Sequence, residues 1–113
     1  MKQIVAYIKP HKLSEVTMAL HKIDGLTGMS VSDVRGFGRT RAQNAPDRIT
    51  HELVDFVPMV KIEIVCEGAL VADIVHVIQQ TAHTGLRGDG KIYVTGVEGA
   101  VRISTAEEGE AAI

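Results

Sequence analysis

Two glycine-rich stretches hold most of the chemistry this chain can offer. Thr84-Gly85-Leu86-Arg87-Gly88-Asp89-Gly90-Lys91 interleaves glycines with an arginine and a lysine. Backbone N–H groups freed by glycine turns, backed by a guanidinium and an ammonium, form an anion cradle. A Walker A motif would continue Gly-Lys into Ser/Thr and a helix. Here Lys91 is followed by Ile92, Tyr93 and Val94, which read as strand, so a nucleotide-triphosphatase loop is excluded. Taken alone, the stretch reads first as a plain glycine turn leading into a strand. The second stretch, Gly36-Phe37-Gly38-Arg39, ends a strand. It lacks the third glycine and following helix of a dinucleotide fingerprint, and its glycines suit close backbone approach to a neighbour or ligand.

The remaining reactive side chains are dispersed. His11, His21, His51, His76 and His83 show no His-x-x-x-His or His/Cys spacing, so no structural zinc site is expected. His76 falls on a polar helix flank, where a solvated role suits it. Cys66 is the sole cysteine, which excludes an internal disulfide framework and a Cys-only zinc site. It reads as a small buried hydrophobe in a reducing cytoplasm. Asp24, Asp33, Asp47, Asp55, Asp73 and Asp89 scatter over surface segments without forming an acid/base pair. Nothing suggests a Ser-His-Asp or Cys-His arrangement. The chain reads as a binder, not an enzyme.

These residues need elements to position them. Met1 to Lys9 reads as a central strand, with Ile4, Ala6 and Ile8 on one face and Val5 and Tyr7 on the other. Pro10 stops its pairing. Leu13, Val16, Leu20 and Ile23 recur at helical spacing, predicting a helix from Lys12 to about Asp24 with Gly25 as its break. A second strand is predicted over about Met29 to Phe37. The polar stretch from Gly38 to Leu53 follows neither period, and a loop this long in a small domain is usually functional. Strand character resumes over Val54 to Cys66, with Val60, Ile62, Ile64 and Cys66 on one face and Met59, Lys61, Glu63 and Val65 on the other. Ala69 to Ala82 predicts a second helix with Leu70, Ile74, Val77, Ile78 and Thr81 inward, terminated by Gly85. A last strand runs from Ile92 to Thr95. The order β-α-β-loop-β-α-β predicts an α+β, ferredoxin-like fold: an antiparallel four-stranded sheet with both helices on one face. The other face still carries Val5, Tyr7 and Val65, and self-association would cover it.

Composition agrees with one soluble domain. The chain has 113 residues, 45% hydrophobic and 23% charged, which excludes a disordered or collagen-like chain. A net charge of −2 with 4% aromatics gives no footing for nucleic acid. No apolar run approaches the roughly 20 residues that span a bilayer. No cationic start leads into an apolar core, so secretion is not expected.

Taken together, the motifs resemble the PII signal-transduction family. They are the opening Met-Lys-x-Ile…Ile-Lys-Pro10, Gly36-Phe-Gly-Arg39, and Asp55-Phe-x-Pro-x-Val-Lys61-Ile-Glu63. Thr84-Gly-x-x-Gly-Asp-Gly-Lys91-Ile and Arg102-Ile-x-Thr-x-Glu-x-Gly-Glu110 complete the set, in family order over essentially the whole chain. The resemblance implies a homotrimer binding an adenine nucleotide (ADP or AMP, with ATP and Mg²⁺ also accommodated) in clefts between subunits. It implies a single domain, 1–113, with a T-loop over about 38–54 that docks on targets, a B-loop over about 83–91 and a C-loop over about 102–109. By position, Ser30, Glu63 and Val65 would surround the adenine. Gly36, Gly38 and Arg39 would approach the nucleotide. Thr84, Gly88, Asp89, Gly90 and Lys91 would form the phosphate turn, with Arg102 assisting from the adjacent subunit.

Departures from the family pattern mark a divergent, PII-like member. Thr40 stands where a glutamine helps place Mg²⁺ and 2-oxoglutarate, and Met59 stands where a lysine grips the 2-oxoglutarate carboxylate. A charge-assisted contact of that kind is worth roughly 1.5–3 kcal/mol, so 2-oxoglutarate is expected to bind poorly or not at all. Glu52 replaces the tyrosine that receives a nucleotidyl group. Ser104 replaces a second arginine, shifting preference toward ADP or AMP. Thr40, Arg41, Met59 and Lys61 would then be the effector and T-loop residues. Arg35, Arg39, Arg41 and Arg48 make that region cationic, and a small anion such as bicarbonate is a candidate co-effector. A subgroup of PII-like proteins is encoded beside carboxysome and bicarbonate-transport genes. The expected target is a membrane transporter or else a metabolic enzyme, without nucleic acid. Two alternatives share the fold: an acylphosphatase-type phosphohydrolase and a trimeric metal-tolerance protein.

Overall fold

A computed structural model of the chain describes residues 1–37 and 56–113. At its centre lies β1 (Lys2–Ile8), with Ile4, Ala6 and Ile8 buried on one face and Gln3, Val5 and Tyr7 half-buried on the other. One neighbour is β3 (Val57–Cys66), the other β4 (Lys91–Gly96), and β2 (Ser30–Gly36) adds to the outer edge of β3. The order is β2-β3-β1-β4, with every neighbouring pair antiparallel. Helix α1 (Leu13–Leu20) links β1 to β2, and α2 (Val71–Ala82) links β3 to β4. This is the expected ferredoxin-like βαββαβ arrangement.

Period-two alternation builds the core. Ile4 faces Ile64 and Val94 across the ladders, and Ala6 faces Ile62 and Ile92. On that side Ile4, Ala6, Ile8, Val60, Ile62, Ile64 and Cys66 are buried beneath Val16 and Leu20 of α1 and Ile74, Ile78 and Ala82 of α2. Each wholly buried isoleucine contributes about 1.5–3 kcal/mol. On the opposite side Val5, Tyr7 and Val65 are half-buried. Tyr93 is exposed there, and its ring meets Tyr7 edge-to-face with centroids 6.4 Å apart. Among the described residues, no layer covers that face.

The helices are shorter than the apolar spacing predicts. After Leu20 the Lys22 and Ile23 amides donate to the Ala19 and Leu20 carbonyls at 3.2 and 3.0 Å, tightening the chain into turns. Ile23 therefore packs on the core without being helical. Gly25 is no direct helix break; its φ of +91° serves a turn further on. A 3-10 turn, Gly68–Leu70, precedes α2, which starts at Val71 rather than Ala69. The helix ends at Ala82, before Gly85, and Ala82 takes the buried place while Thr81 is half-buried. Pro10 stops β1 as expected and opens the 3-10 turn Pro10–Lys12. β3 is described from Val57, and the predicted strand start at Val54 lies outside the described residues. Phe37 and Phe56, at the described ends of β2 and β3, stack edge-to-face with centroids 5.0 Å apart. Among the described residues, no helix is long and apolar enough to cross a membrane.

Candidate functional site

The glycine-rich turn begins where α2 ends, because His83 leaves helical geometry for φ −67°, ψ 126°. Gly85, Gly88 and Gly90 then take φ of +84°, +80° and +106°, the left-handed region where a side chain is strained. Gly90 is the tightest position: a Cβ there would stand 1.7 Å from the Tyr7 carbonyl oxygen. The turn thus lies directly on the backbone of β1. Lys91, at its exit, pairs with Tyr7 in the β1–β4 ladder.

Asp89 organises this turn from within. Its carboxylate accepts from the Thr84 amide at 2.8 Å, the Gly85 amide at 3.2 Å and the Thr84 hydroxyl. Lys9 Nζ stands 3.2 Å from Asp89 Oδ1 and donates to Thr84 Oγ1 at 3.1 Å. The same hydroxyl oxygen accepts from the Leu86 amide at 3.0 Å. One donation and two acceptances use the full capacity of a threonine hydroxyl. Desolvation pushes the Asp89 carboxyl up, but the Thr84, Gly85 and Lys9 donors outweigh it and hold the group well below the usual carboxylate range. The predicted scatter of surface aspartates therefore misses one: Asp89 is part of a built network. Beside the turn, a cavity of about 300 Å³ is lined by the aliphatic Ile8, Ile78, Ala82 and Ile92 and by the polar Gln79, His83, Asp89 and Lys91.

The sheet register sets the other predicted residues in two groups. Ser30 lies opposite Glu63, and Val65 opposite Gln3. Gln3 Nε2 donates to Glu63 Oε2 at 3.3 Å, and Lys61 Nζ lies 3.6 Å from Glu63 Oε1. Met59 and Lys61 share the open face with Glu63, and Met59 lies opposite Val34. Gly36 closes β2 opposite Val57, at the same end of the sheet as the glycine-rich turn. Yet β2 and β4 are the two edges of the sheet. Three strand spacings, about 14 Å, separate them. One chain does not bring the two predicted halves together.

Arg102 belongs to neither group. Its guanidinium lies 3.6 Å from Glu107 Oε1 and donates to the Ala111 and Ile113 carbonyls, all in its own tail. Gly38, Arg39, Thr40, Arg41 and Glu52 lie outside the described residues, as does the whole predicted loop of 38–54. Cys66 is buried as expected, and burial pushes its thiol pKa up, away from reactivity. Among the described residues, no three His, Cys, Asp or Glu side chains gather as metal ligands. Lys9 is the residue that sequence reasoning misses. Its only sequence signal is its place before Pro10, which fixes where β1 must end.

Comparison with known proteins adds an independent line. The family model described as "Nitrogen regulatory protein P-II" matches residues 1–107. The chain is 51% identical to a nitrogen regulatory protein P-II of Azospirillum brasilense and to one of Rhodospirillum rubrum, over 113 residues and the full length of both partners. It is 49% identical, over the same full span, to nitrogen regulatory protein P-II 1 of Escherichia coli K12. Neither the phosphohydrolase nor the metal-tolerance alternative draws support from these matches.

Proposed function

Since the chain belongs to the nitrogen regulatory protein P-II family, we propose that it is a divergent, non-enzymatic cytoplasmic regulator. It works as a homotrimer that senses adenine nucleotides. The observation that carries this reading is the preorganised turn Thr84–Lys91, seated on β1 with glycines in left-handed geometry and Lys91 at its exit. Such a turn presents backbone N–H groups and cations to phosphate oxygens without further ordering. Its partner groups at Ser30, Gly36, Glu63 and Val65 sit toward the other edge of the sheet. A neighbouring copy joins the two edges and covers the open face of Val5, Tyr7, Val65 and Tyr93. Arg102 reaches the phosphates from that neighbour, and Gly38 and Arg39 approach from the loop base. Mg²⁺ would accompany ATP through the phosphates.

Ligand state is reported through the segment around Thr40 and Arg41 to a partner, with a membrane transporter ahead of a metabolic enzyme. A ligand shifts that segment only by binding one of its states more tightly. Met59 on the open face offers no charge to a carboxylate, so 2-oxoglutarate is not the second effector, and bicarbonate is the candidate anion.

Titration calorimetry with AMP, ADP, ATP and 2-oxoglutarate, with and without Mg²⁺ or bicarbonate, tests the ligand set. Adenylate uptake without a 2-oxoglutarate response is the expected result. Lys91→Ala should lower adenylate affinity about ten- to a hundredfold, the loss of a charge-assisted contact, with the trimer mass unchanged. A monomeric wild type, or one that takes up no adenylate at millimolar levels, overturns the proposal.

A further inference from the structure

Lys9 is 75 residues from Thr84 in sequence, yet its ammonium is shared between the Thr84 hydroxyl and the Asp89 carboxylate. Both of its backbone neighbours are constrained. Ile8 is the last paired residue of β1, and Pro10 follows, which holds Lys9 extended at φ −68°, ψ 139°. Its stem runs beneath the turn: a Cβ at Gly88 would meet Lys9 Cε at 3.9 Å. The Lys9 and Asp89 side chains are only 19% and 23% exposed, so water screens this pair less than a surface pair. Asp89 shapes the turn, since it gathers the Thr84 and Gly85 amides through oxygens that an asparagine keeps in part. It is also a negative charge in a surface built for anions. We propose that Lys9 is a positioning residue that resolves this conflict, neutralising Asp89 and locking Thr84 so that the turn keeps both its shape and a cationic surface. For its ligand this inference rests on the nucleotide reading above; for the lock itself it rests on geometry alone.

The charge role makes a demand that simple loss of structure does not. Without Lys9 the penalty must grow with the charge of the ligand, from AMP to ADP to ATP. Lys9→Met, Asp89→Asn and the double variant are compared with wild type by calorimetry, alongside oligomer mass and melting temperature. Lys22→Met controls for loss of one cation elsewhere. The expected result is about a tenfold loss of ADP affinity in Lys9→Met, larger for ATP and smaller for AMP. The double variant should recover part of that loss, because the unpaired carboxylate is gone. Folded Lys9→Met binding all three nucleotides as wild type does, or losing equally for each, overturns the inference. Lys9→Gln, which keeps a donor without the charge, serves the same comparison if Lys9→Met does not fold. Hydrogen exchange at the Gly85 and Leu86 amides reads the lock without nucleotide. Slow exchange in wild type that becomes fast in Lys9→Met upholds it, and unchanged exchange overturns it. A wild type that takes up no adenylate defeats the nucleotide reading, and the lock is then judged by exchange alone.

Discussion

The glycine-rich turn and the C-terminal tail are both short, irregular and proposed to meet the same ligand, but they are held in opposite ways. The turn is tied to β1 by Gly90 against Tyr7 and by Lys9 against Thr84 and Asp89, contacts that cross most of the chain. The tail is tied mainly to itself. The Arg102 amide donates to the Glu107 carbonyl at 2.9 Å, the Gly109 amide to Ala100 at 3.0 Å, and Val101 bridges Glu108. Ala106 takes a φ of +64° to close that hairpin. Val101 and Ile103 stay exposed, Ile103 fully. A turn anchored to a sheet has its shape fixed within one chain. A self-tied hairpin leaves apolar side chains bare, and on the proposed reading a neighbouring copy covers them.

That contrast is broken most severely at Gly90. Gly90→Ala forces a Cβ into the Tyr7 carbonyl, so the turn must leave β1. A loss of about 3 kcal/mol or more is expected, with adenylate binding abolished, measured by urea unfolding and calorimetry. A wild-type midpoint would mean the close approach is not fixed. An intermediate effect comes from acid. The folded Asp89 pKa is depressed, so its contribution is complete above the ordinary carboxylate range and fades as pH falls through and below about 3.9. Between neutrality and that range, Asp89→Asn should be less stable than wild type, the gap closing in more acidic buffer. A pH-independent gap would show that the charge is not what the turn uses. The smallest effect is expected in the tail. Ile103→Ser should change the melting temperature of dissociated chains negligibly, within about 0.5 kcal/mol in stability, while shifting oligomer mass toward monomer on dilution. An unaltered dissociation profile would remove Ile103 from the contact.

Much of the fold was legible from alternation. Ile4, Ala6 and Ile8, and Val60, Ile62, Ile64 and Cys66, repeat with period two, and each set is buried. Helix ends were harder to read. Ile23 continues the apolar stripe of α1 yet reaches the core from a turn, since a side chain can pack inward without helical backbone. Of the candidate site, the glycines and cations of the turn could be seen as an anion cradle. The use of Asp89 could not, because an aspartate among glycines reads as an ordinary turn residue.

By itself the amino-acid sequence determined the strand faces, the breaks at Pro10 and the glycines, and the residue types gathered around Lys91. These depend on near neighbours, through side-chain period and backbone sterics, and such information is local. Tertiary structure alone decided that Lys9 meets Asp89, that Gly90 rests on Tyr7, and that Ser30 and Lys91 lie on opposite edges of one sheet. Those relations follow from strand order and register, which emerge when distant segments bury one shared core.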